Sequence, residues 1–311
     1  MDLRPLFILG PTGSGKSSIA IAVAESLISA GQAVEIVSAD AYQIYKDLPI
    51  LTAAPSAEDL ARVRHHLVHE IELEQNHDAG AHARMALARM EEMRGRGVKA
   101  IVTGGSGLYV KFISHGISEA PPSSEELRAE LEEWTSERLI AEFQRIDAEG
   151  LAMTAVENRR YLVRNLEIVM LSKKPLRYWR QNWGEEAAGM GWGIERSVEE
   201  LDERIYRRAG EMYEMGLLEE VRGIEGRELS ETAGKVLGLE VVRERLRGEI
   251  LGDESVRKLG LMTRQYAKRQ RTWLRRESWV RRVGASEAVE RIVAAELGEK
   301  KAELLKGTLQ N

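Results

Sequence analysis

The stretch GPTGSGKS at 10–17 directly follows the apolar run Leu6-Phe7-Ile8-Leu9 and matches the pattern G-x-x-x-x-G-K-[ST] in full. Glycines in this pattern let successive backbone N–H groups face an oxyanion, and the lysine and the start of the following helix add positive potential. A bare glycine turn is the weaker interpretation, because a strand precedes the loop and a helix follows it. We therefore predict a polyphosphate site made of Gly10, Pro11, Thr12, Gly13, Ser14, Gly15, Lys16 and Ser17. The loop alone does not identify the polyphosphate.

The composition is that of a globular protein without membrane spans. The chain has 311 residues, no cysteine and a net charge of -5, and none of its apolar runs is long enough to cross a bilayer. Disulfides and cysteine zinc sites are excluded, and we expect a cytoplasmic protein without a signal peptide. The negative net charge would argue against a nucleic-acid partner, unless the basic residues are concentrated in one segment.

The first third of the chain alternates short apolar strands, at 6–9, 33–37 and 100–103, with helical segments. This alternation predicts an α/β fold in which helices flank a parallel sheet, as in P-loop NTPases. Two prolines at 121–122 mark a boundary, and a charge-rich helical region follows as far as the glycine-rich patch at 189–193. We therefore predict a catalytic core at 1–117 and 196–311, interrupted by an all-helical insertion at 118–195. From Glu199 onward we expect helices, with a terminal helix from Ser286 to Lys306.

Asp40 follows the apolar segment Val34–Val37, whereas the strand that ends at Thr103 leads into glycines and Ser106 without a carboxylate. In an open parallel sheet, ligands collect at the carboxyl ends of the strands, so Lys16, Asp40 and Ser106 should converge on one crevice. By position alone, Asp40 is a metal ligand, a general base or the N-cap of a helix starting at Ala41.

Four stretches behind the loop carry a family resemblance: SADAYQIYK at 38–46, LTAAP at 51–55, HHL at 65–67 and GGSGLY at 104–109. In this order they resemble the tRNA dimethylallyltransferase family, also called tRNA isopentenyltransferases. The likeness continues in GLLEEV at 216–221 and in TRQYAKRQRTW at 263–273, and it spans the chain from Phe7 to Trp273.

The resemblance implies an allylic transfer reaction. The loop would hold the diphosphate of dimethylallyl diphosphate, and the acceptor would be the exocyclic N6 amine of the adenosine on the 3′ side of the anticodon. Such an amine is a weak nucleophile, so Asp40 would accept its proton as general base. Lys16 and Mg²⁺ at Ser17 would stabilise the departing diphosphate. Ser106 would place a hydroxyl near the reacting centre, and Arg208 would meet phosphate.

The resemblance also implies contacts to tRNA. A base in an anticodon loop must be unstacked before its amine can react, and neighbouring contacts offset that cost. The implied contacts are Asp40, Ala41, Tyr42, Gln43, Ser106, Arg128, Arg160, Arg164, Lys235 and Gly238. We expect a monomer with no obligate protein partner and no membrane contact.

Ten lysines and arginines lie between 256 and 282, against a single acid, Glu277. The helical spacing places Arg264, Lys268, Arg271 and Arg275 on one face, which favours a polyanionic partner. The other face carries Leu259, Met262, Tyr266 and Trp273, and we interpret this apolar stripe as core.

Several positions depart from the family pattern. Ala41 replaces a frequent Ser, Ala54 a Lys and Leu239 a common Tyr, and Tyr161 falls at or beside an arginine position. Three alternative functions remain open: prenylation of free adenine nucleotides, a small-molecule kinase or NTPase in which Asp40 holds Mg²⁺, and a non-catalytic RNA-binding protein. A zinc site at His65, His66 and His69 is disfavoured because no further close ligands accompany them.

Overall fold

The computed structural model describes residues 2–117, 120–181 and 187–298. These residues form two compact units, Met1–Ser114 with Glu186–Asn311, and His115–Glu185. The described part of the first unit contains six strands: β1 Leu6–Leu9, β2 Val34–Ala39, β3 His65–His66, β4 Lys99–Gly104, β5 Met190–Glu195 and β6 Val280–Gly284. All of them pair in parallel, in the order β3-β2-β4-β1-β5-β6. The predicted parallel α/β class is confirmed.

Helices occur in both units. In chain order they are α1 Lys16–Ser29, α2 Ala57–Arg62, α3 Ala79–Gly95, α4 Gly107–His115, α5 Glu125–Glu133, α6 Ser136–Ile146, α7 Ala148–Ala152, α8 Arg159–Ser172, α9 Leu176–Gln181, α10 Val198–Glu214, α11 Leu217–Arg222, α12 Leu239–Leu246, α13 Gly252–Leu274 and α14 Ala288–Leu297. A short 3-10 helix at Ala233–Lys235 precedes α12. None of the helices in the described ranges combines the length and apolar character needed to cross a bilayer.

Strand β1 lies in the interior of the sheet, and its four residues are fully buried. Leu6 and Ile8 belong to a core cluster that includes apolar side chains of α1 and α14. Phe7 points to the opposite face, where Trp279 packs against it with the ring centroids 5.2 Å apart. Burial on both faces explains why this strand is an unbroken apolar run.

The strand register brings three chain segments to one edge of the sheet. Leu9 and Ala39 both pair with Gly104, so β1, β2 and β4 end at the same level. A Cβ atom on Gly104 would lie 2.5 Å from the carbonyl oxygen of Ala39, which excludes a side chain there. The phosphate loop, Asp40 and Ser106 therefore leave the sheet side by side.

The second unit is helical in its described part and has its own core. The cluster includes Leu131, Leu139, Phe143, Leu162 and Leu166, all fully buried. Such a core gives this unit its own source of stability, separate from that of the sheet.

A buried carboxylate, Glu167, lies within the second unit. It accepts hydrogen bonds from Arg128 and Arg164, each at 2.7 Å, and from the backbone N–H of Ser124 at 2.9 Å. Two guanidinium groups and an amide offset the cost of burying this charge.

The predicted insertion boundary at 195 is wrong, because Met190–Glu195 is strand β5 and pairs with β1 and β6. The glycines of this segment are not turn residues. A Cβ atom on Gly191 would lie 2.5 Å from the Trp279 ring, and one on Gly193 would lie 3.1 Å from Val280. Glycine is required at both positions because Trp279 and Val280, at the start of β6, pack directly against them.

The prediction that the chain is helical from Glu199 onward also needs correction, because β6 interrupts the helices at Val280–Gly284. The described part of the predicted terminal helix is α14, Ala288–Leu297. The remainder of that predicted helix, 299–306, lies outside the described residues.

Candidate active site

The phosphate loop connects the buried end of β1 to the first turn of α1. Gly13 and Gly15 have φ angles of 84° and 87°, which residues with a side chain rarely adopt. The backbone N–H of Ser14 donates to the Pro11 carbonyl at 3.1 Å, and that of Gly10 donates to the Gly104 carbonyl at 3.2 Å. This loop followed by a helix N-terminus is an anion-binding arrangement.

Lys16 is the first residue of α1 and lines a crevice together with Ser17 and Asp40. Burial lowers the pKa of its ammonium group to about 8; the charge of Asp40 opposes this shift, and Arg208 reinforces it. The lysine is therefore a cation held in a poorly hydrated site, which strengthens its attraction for a phosphate oxygen.

Three arginines form hydrogen bonds to the phosphate loop. Arg196 donates to the Ser14 carbonyl at 2.9 Å and Arg204 to the Gly13 carbonyl at 2.7 Å. Arg208 donates to the Thr12 hydroxyl at 2.5 Å. Because carbonyl oxygens repel anions, pairing two of them with guanidinium groups makes the loop more positive.

The pKa of Arg208 is lowered, mainly by burial and secondarily by the nearby Arg204, whereas Asp40 acts in the opposite direction. Arg208 also lines the crevice that contains Lys16 and Asp40. Its predicted contact with phosphate stays a prediction, and its position beside the loop is consistent with it.

Asp40 follows β2 and caps a turn. Its Oδ1 accepts hydrogen bonds from the backbone N–H groups of Tyr42, at 2.9 Å, and Gln43, at 3.4 Å. No helix starts at Ala41, so the N-cap interpretation is wrong; the next helix in the chain is α2. Within the described residues, Oδ2 accepts no hydrogen bond. One carboxylate oxygen of Asp40 is thus anchored in the turn, the other is free of hydrogen bonds within the described residues, and the residue lines the crevice.

Ser106 is buried, and its hydroxyl lies 2.8 Å from the hydroxyl of Tyr266. Tyr266 lines the same crevice as Asp40, so Ser106 reaches the site through this tyrosine. Burial, and secondarily the charge of Asp40, raises the pKa of Tyr266. The phenol stays protonated and provides a neutral hydrogen-bonding group. The apolar stripe predicted both Leu259 and Tyr266 as core. Leu259 is indeed buried, and both residues also line the crevice.

Ser17 is the residue of the crevice that would hold Mg²⁺. The hydroxyl of Ser17 lines the crevice and forms no hydrogen bond among the described residues. Three or more acidic or histidine side chains do not cluster as a metal site anywhere in the described ranges. Mg²⁺ commonly takes one or two protein oxygens and fills its shell with phosphate oxygens and water. Ser17 fits an ion held mainly by a diphosphate.

Of the predicted tRNA contacts in the first unit, Tyr42 and Gln43 line the crevice. Lys235 is exposed and paired with Glu231. Gly238 has a φ angle of 89° at the start of α12, and a Cβ atom there would lie 2.3 Å from Leu259. The glycine is therefore required by packing.

The predicted contacts in the second unit differ in their surroundings. Arg128 and Arg164 are half-buried and share the carboxylate of Glu167. Arg160 is exposed and has no ion-pair partner among the described residues. Arg160 is the one of the three whose charge is available without breaking a buried ion pair.

The LTAAP segment at 51–55, in which Ala54 departs from the family pattern, is held by a residue that sequence analysis did not single out. Glu220 on α11 accepts hydrogen bonds from the backbone N–H groups of Ile50, at 2.7 Å, and Leu51, at 2.8 Å. Leu51 and Ala53 line the crevice. Glu220 thus fixes the rim of the site, and its position in GLLEEV was the signal available.

Gln270 was also missed. Its Oε1 accepts a hydrogen bond from the backbone N–H of Thr12 at 2.7 Å, and a Cβ atom on Gly105 would lie 2.6 Å from its Nε2. It therefore joins α13 to the phosphate loop. The signal was the motif TRQYAKRQRTW, which contains both Tyr266 and Gln270.

His66, considered with its neighbours as a metal ligand, has a structural partner. Its Nε2 lies 2.6 Å from Oε2 of Glu35, which also pairs with Arg96. Arg96 and His66 hold the pKa of Glu35 at about 2. This charge cluster ties β2 to β3 and to the end of α3.

The parallel sheet and the glycine loop at the end of its buried strand define a P-loop-like α/β protein, with an acid in the crevice beside the loop. The family model described as IPP transferase matches residues 43–277. A tRNA dimethylallyltransferase of Akkermansia muciniphila is 52% identical over 281 residues, covering 90% of this chain and 93% of that protein. A tRNA dimethylallyltransferase of Salinibacter ruber is 36% identical, with 87% and 85% covered.

Solved structures are similar as well. The full-length tRNA isopentenylpyrophosphate transferase of Bacillus halodurans superposes with a TM-score of 0.69 at 25% identity, covering 100% of both chains. A eukaryotic dimethylallyltransferase acting on tRNA gives a TM-score of 0.78 at 19% identity over 91% of this chain and 74% of that one, which shows the shared fold. The chain belongs to the IPP transferase family, as the motifs predicted.

Proposed function

We propose that this protein transfers a dimethylallyl group from dimethylallyl diphosphate to N6 of the adenosine on the 3′ side of the anticodon, in tRNAs that read codons beginning with U. The observation that carries the proposal is the placement of Asp40 and Lys16 on one crevice, beside the phosphate loop. An acid and an anion-binding site within one crevice match a reaction that needs a proton acceptor and a diphosphate leaving group.

The chemistry follows from this placement. The lone pair of the N6 amine attacks C1 of the allylic group, the new N–C bond forms, and the C1–O bond breaks with its electrons going to the diphosphate. The amine proton moves to the free carboxylate oxygen of Asp40. Oδ1 of Asp40 is held by the N–H groups of Tyr42 and Gln43, so Oδ2 is presented in a fixed direction.

The phosphate loop stabilises the leaving group. Negative charge on the diphosphate increases as the C1–O bond breaks, and fixed N–H groups and cations aimed at this charge lower the barrier. Lys16 and Arg208 line the crevice, and Arg196 and Arg204 neutralise loop carbonyls behind it. When bound, Mg²⁺ supplies further positive charge to the diphosphate, and Ser17 would hold it.

The RNA acceptor is proposed from the family and from the basic segment. Lys268 and Arg271 on α13 form no ion pair among the described residues, whereas Arg264 is paired with Asp202 at 2.8 Å. The predicted basic face is therefore smaller than its sequence suggests. We propose that it contacts the RNA backbone, and that the protein acts as a cytoplasmic monomer without an obligate protein partner.

A direct experiment tests the function. The purified protein is incubated with Mg²⁺, dimethylallyl diphosphate and bulk tRNA lacking the modification, and the nucleosides are analysed by mass spectrometry. The expected result is adenosine that has gained one C5 group at N6, in tRNAs that read codons beginning with U. An unmodified tRNA pool, with free adenine nucleotides prenylated instead, would contradict the proposal.

Binding measurements separate the kinase alternative, because the phosphate loop suits a nucleoside triphosphate as well. Calorimetry compares dimethylallyl diphosphate with ATP under the same conditions. We expect ATP to bind the same loop as a competitor and the allylic diphosphate to be the substrate consumed. Phosphoryl transfer from ATP to a small molecule would refute the proposed activity.

A further inference from the structure

Two buried histidines lie behind the active site and have no role in the chemistry described above. His77 precedes α3 and His82 lies in its first turns; His77 retains 4% of its exposure and His82 none. Nε2 of His77 lies 3.0 Å from Nδ1 of His82, and Nε2 of His82 lies 2.8 Å from the carbonyl oxygen of Ser38.

The carbonyl fixes the proton positions on both rings. A carbonyl oxygen only accepts, so Nε2 of His82 must carry a hydrogen and donate it to Ser38. In a neutral ring the other nitrogen, Nδ1 of His82, then accepts. Nε2 of His77 must therefore be the donor between the rings. The pair has a single hydrogen-bond direction, from His77 through His82 to the backbone of β2.

The Ser38 carbonyl needs this partner because β3 is short. The backbone N–H of Ile36 donates to the carbonyl oxygen of Arg64, so the backbone polar groups of Ile36 point toward β3. The backbone N–H and carbonyl of Ser38, two residues further along, point to the same edge of β2. β3 pairs only with Ile36 and Val37 and ends there. His82 supplies the hydrogen bond that a longer β3 would have made.

Ser38, whose carbonyl His82 supports, is close to Asp40 in the chain. Ser38 precedes it by two positions, and the Ser38 hydroxyl lies 3.0 Å from Oε1 of Gln43. The backbone N–H of Gln43 in turn donates to Oδ1 of Asp40 at 3.4 Å. His82 thus holds the start of the turn, and Ser38 also contacts its far end.

The histidines are themselves held in place. The ring of Tyr109 packs against that of His82 with 5.1 Å between centroids, and its hydroxyl donates to the His77 carbonyl at 3.4 Å. The backbone N–H of His77 donates to the Thr232 hydroxyl at 2.9 Å. Contacts with α4 and with the 232–235 turn hold the two histidines in place. The hydrogen bond from His82 therefore restrains the position of the Ser38 carbonyl in β2.

We propose that His77 and His82 are positioning residues for the transfer reaction: their hydrogen-bonded pair holds the Ser38 carbonyl and thereby fixes the turn that carries Asp40. This inference rests on the proposed function, in which Asp40 accepts the amine proton. Neither histidine touches the reacting atoms.

The pair works only while the His82 ring is neutral. A proton added to Nδ1 of His82 would face the N–H of His77, and the bond between the rings would be lost. Burial lowers the pKa of His82 to about 4 and also lowers that of His77. Asp78 raises the pKa of His77 and Arg84 lowers it, while Tyr109 faces His82 as a neutral phenol whose pKa is raised by burial. Near neutral pH the supporting form therefore predominates.

Kinetics of three variants test the proposal. H82F removes both ring hydrogen bonds at similar volume, and H82Q keeps a donor that can reach the Ser38 carbonyl. H65F is the control, because the hydrogen bond of the His65 ring goes to the Val63 carbonyl and not to the turn that carries Asp40. We expect H82F to lower kcat about tenfold with KM for dimethylallyl diphosphate within about twofold, because the hydrogen bond that supports the Ser38 carbonyl is lost. H82Q should retain most of kcat, and H65F all of it. An H82F variant with unchanged kcat would overturn the proposal.

Nitrogen NMR of the histidine rings provides a readout independent of activity. In the wild-type protein near neutral pH, both His77 and His82 should carry hydrogen on Nε2 and none on Nδ1, and a His82 ring protonated on Nδ1 would refute the inference. The backbone amide of Tyr42, which donates to Asp40, should shift in H82F and return in H82Q. If H82F does not fold, the proposal is tested by the histidine tautomers of the wild-type protein and by the kcat of H82Q. Correct tautomers in a wild-type protein without transferase activity would refute the proposed function and leave the support of the turn standing.

Discussion

Replacing Asp40 by Asn removes the proton acceptor while preserving the turn around it. Asn keeps an oxygen that can accept the Tyr42 N–H, now 2.9 Å from Oδ1, so the fold should survive. Loss of general-base catalysis lowers rates by about 10²- to 10⁴-fold, equivalent to about 3–5 kcal/mol in the barrier. We expect this loss in kcat, measured by transfer of labelled dimethylallyl groups to tRNA in single-turnover reactions.

A second effect of D40N follows from the electrostatics of the crevice. The charge of Asp40 opposes the burial that lowers the pKa of Lys16 to about 8. Neutralising Asp40 should lower that pKa further, so KM for dimethylallyl diphosphate should rise more at alkaline pH than near neutrality. The two effects are separable, because one appears in kcat and the other in the pH dependence of KM.

Asp47 provides the matched control for D40N. It is exposed and pairs with Arg227 at 2.7 Å, and such a surface ion pair contributes under about 1 kcal/mol. D47N should therefore leave kcat unchanged. If D40N kept kcat within about tenfold of the wild-type protein while its tRNA affinity and melting temperature were unaltered, the assignment of Asp40 as general base would be refuted.

Three further outcomes are expected. Replacing Gly191 by Leu should destabilise the protein by about 1–3 kcal/mol or more, seen as a lower melting temperature, because its Cβ would lie 2.5 Å from an indole ring; G210A, with open space around it, is the control, and equal melting temperatures would contradict the packing argument. E220A should cost about 1–3 kcal/mol because it leaves the N–H of Leu51 without its acceptor, and should raise KM for tRNA more than E220Q does; equal values for the two variants would argue against this role. Since protonated Lys16 binds the diphosphate, KM for the allylic substrate should rise as pH passes its pKa of about 8, and K16R should flatten this dependence; a flat wild-type profile would exclude the lysine as the responsible group.

The phosphate loop and the placement of Asp40 could be predicted because both depend on local pattern. The glycine spacing defines the loop, and an acid directly after an apolar strand must emerge at the carboxyl edge of a parallel sheet. The fold class and the family prediction, confirmed above, depend on these same segments. The identity of the proton acceptor came from the resemblance, since position alone left three roles for Asp40.

Strand β5 could not be predicted from its own residues. Gly191 and Gly193 alternate with Trp192 and Ile194, and glycines weaken a strand unless another chain segment occupies their space. That segment is the one that enters β6, which is far along the sequence. Glycines that accommodate a tertiary contact and glycines that form a turn give the same local pattern.

The prediction that the stripe on α13 belongs to the core was incomplete for a related reason, because Leu259 is buried but also borders the site. Helical periodicity shows which side chains share a face, but not which surface that face contacts. Leu259 and Tyr266 were correctly grouped, yet they line the crevice that holds Asp40. The hydroxyl of Tyr266 was the missed clue, because a phenol on a buried face needs a polar partner, here Ser106 at 2.8 Å.

The groups that complete the phosphate site come from the second part of the core. Arg196 and Arg204 reach loop carbonyls that are 182 and 191 residues earlier in the chain, and Gln270 reaches Thr12 across 258 residues. Folding of the first part alone would leave the Gly13 and Ser14 carbonyls without their guanidinium partners. The anion-binding strength of the loop therefore depends on α10 and α13 being docked, which couples diphosphate affinity to the integrity of the whole core. No local pattern at 10–17 could have revealed that dependence, because the motif specifies the backbone geometry and the arginines that contact the loop lie far along the chain.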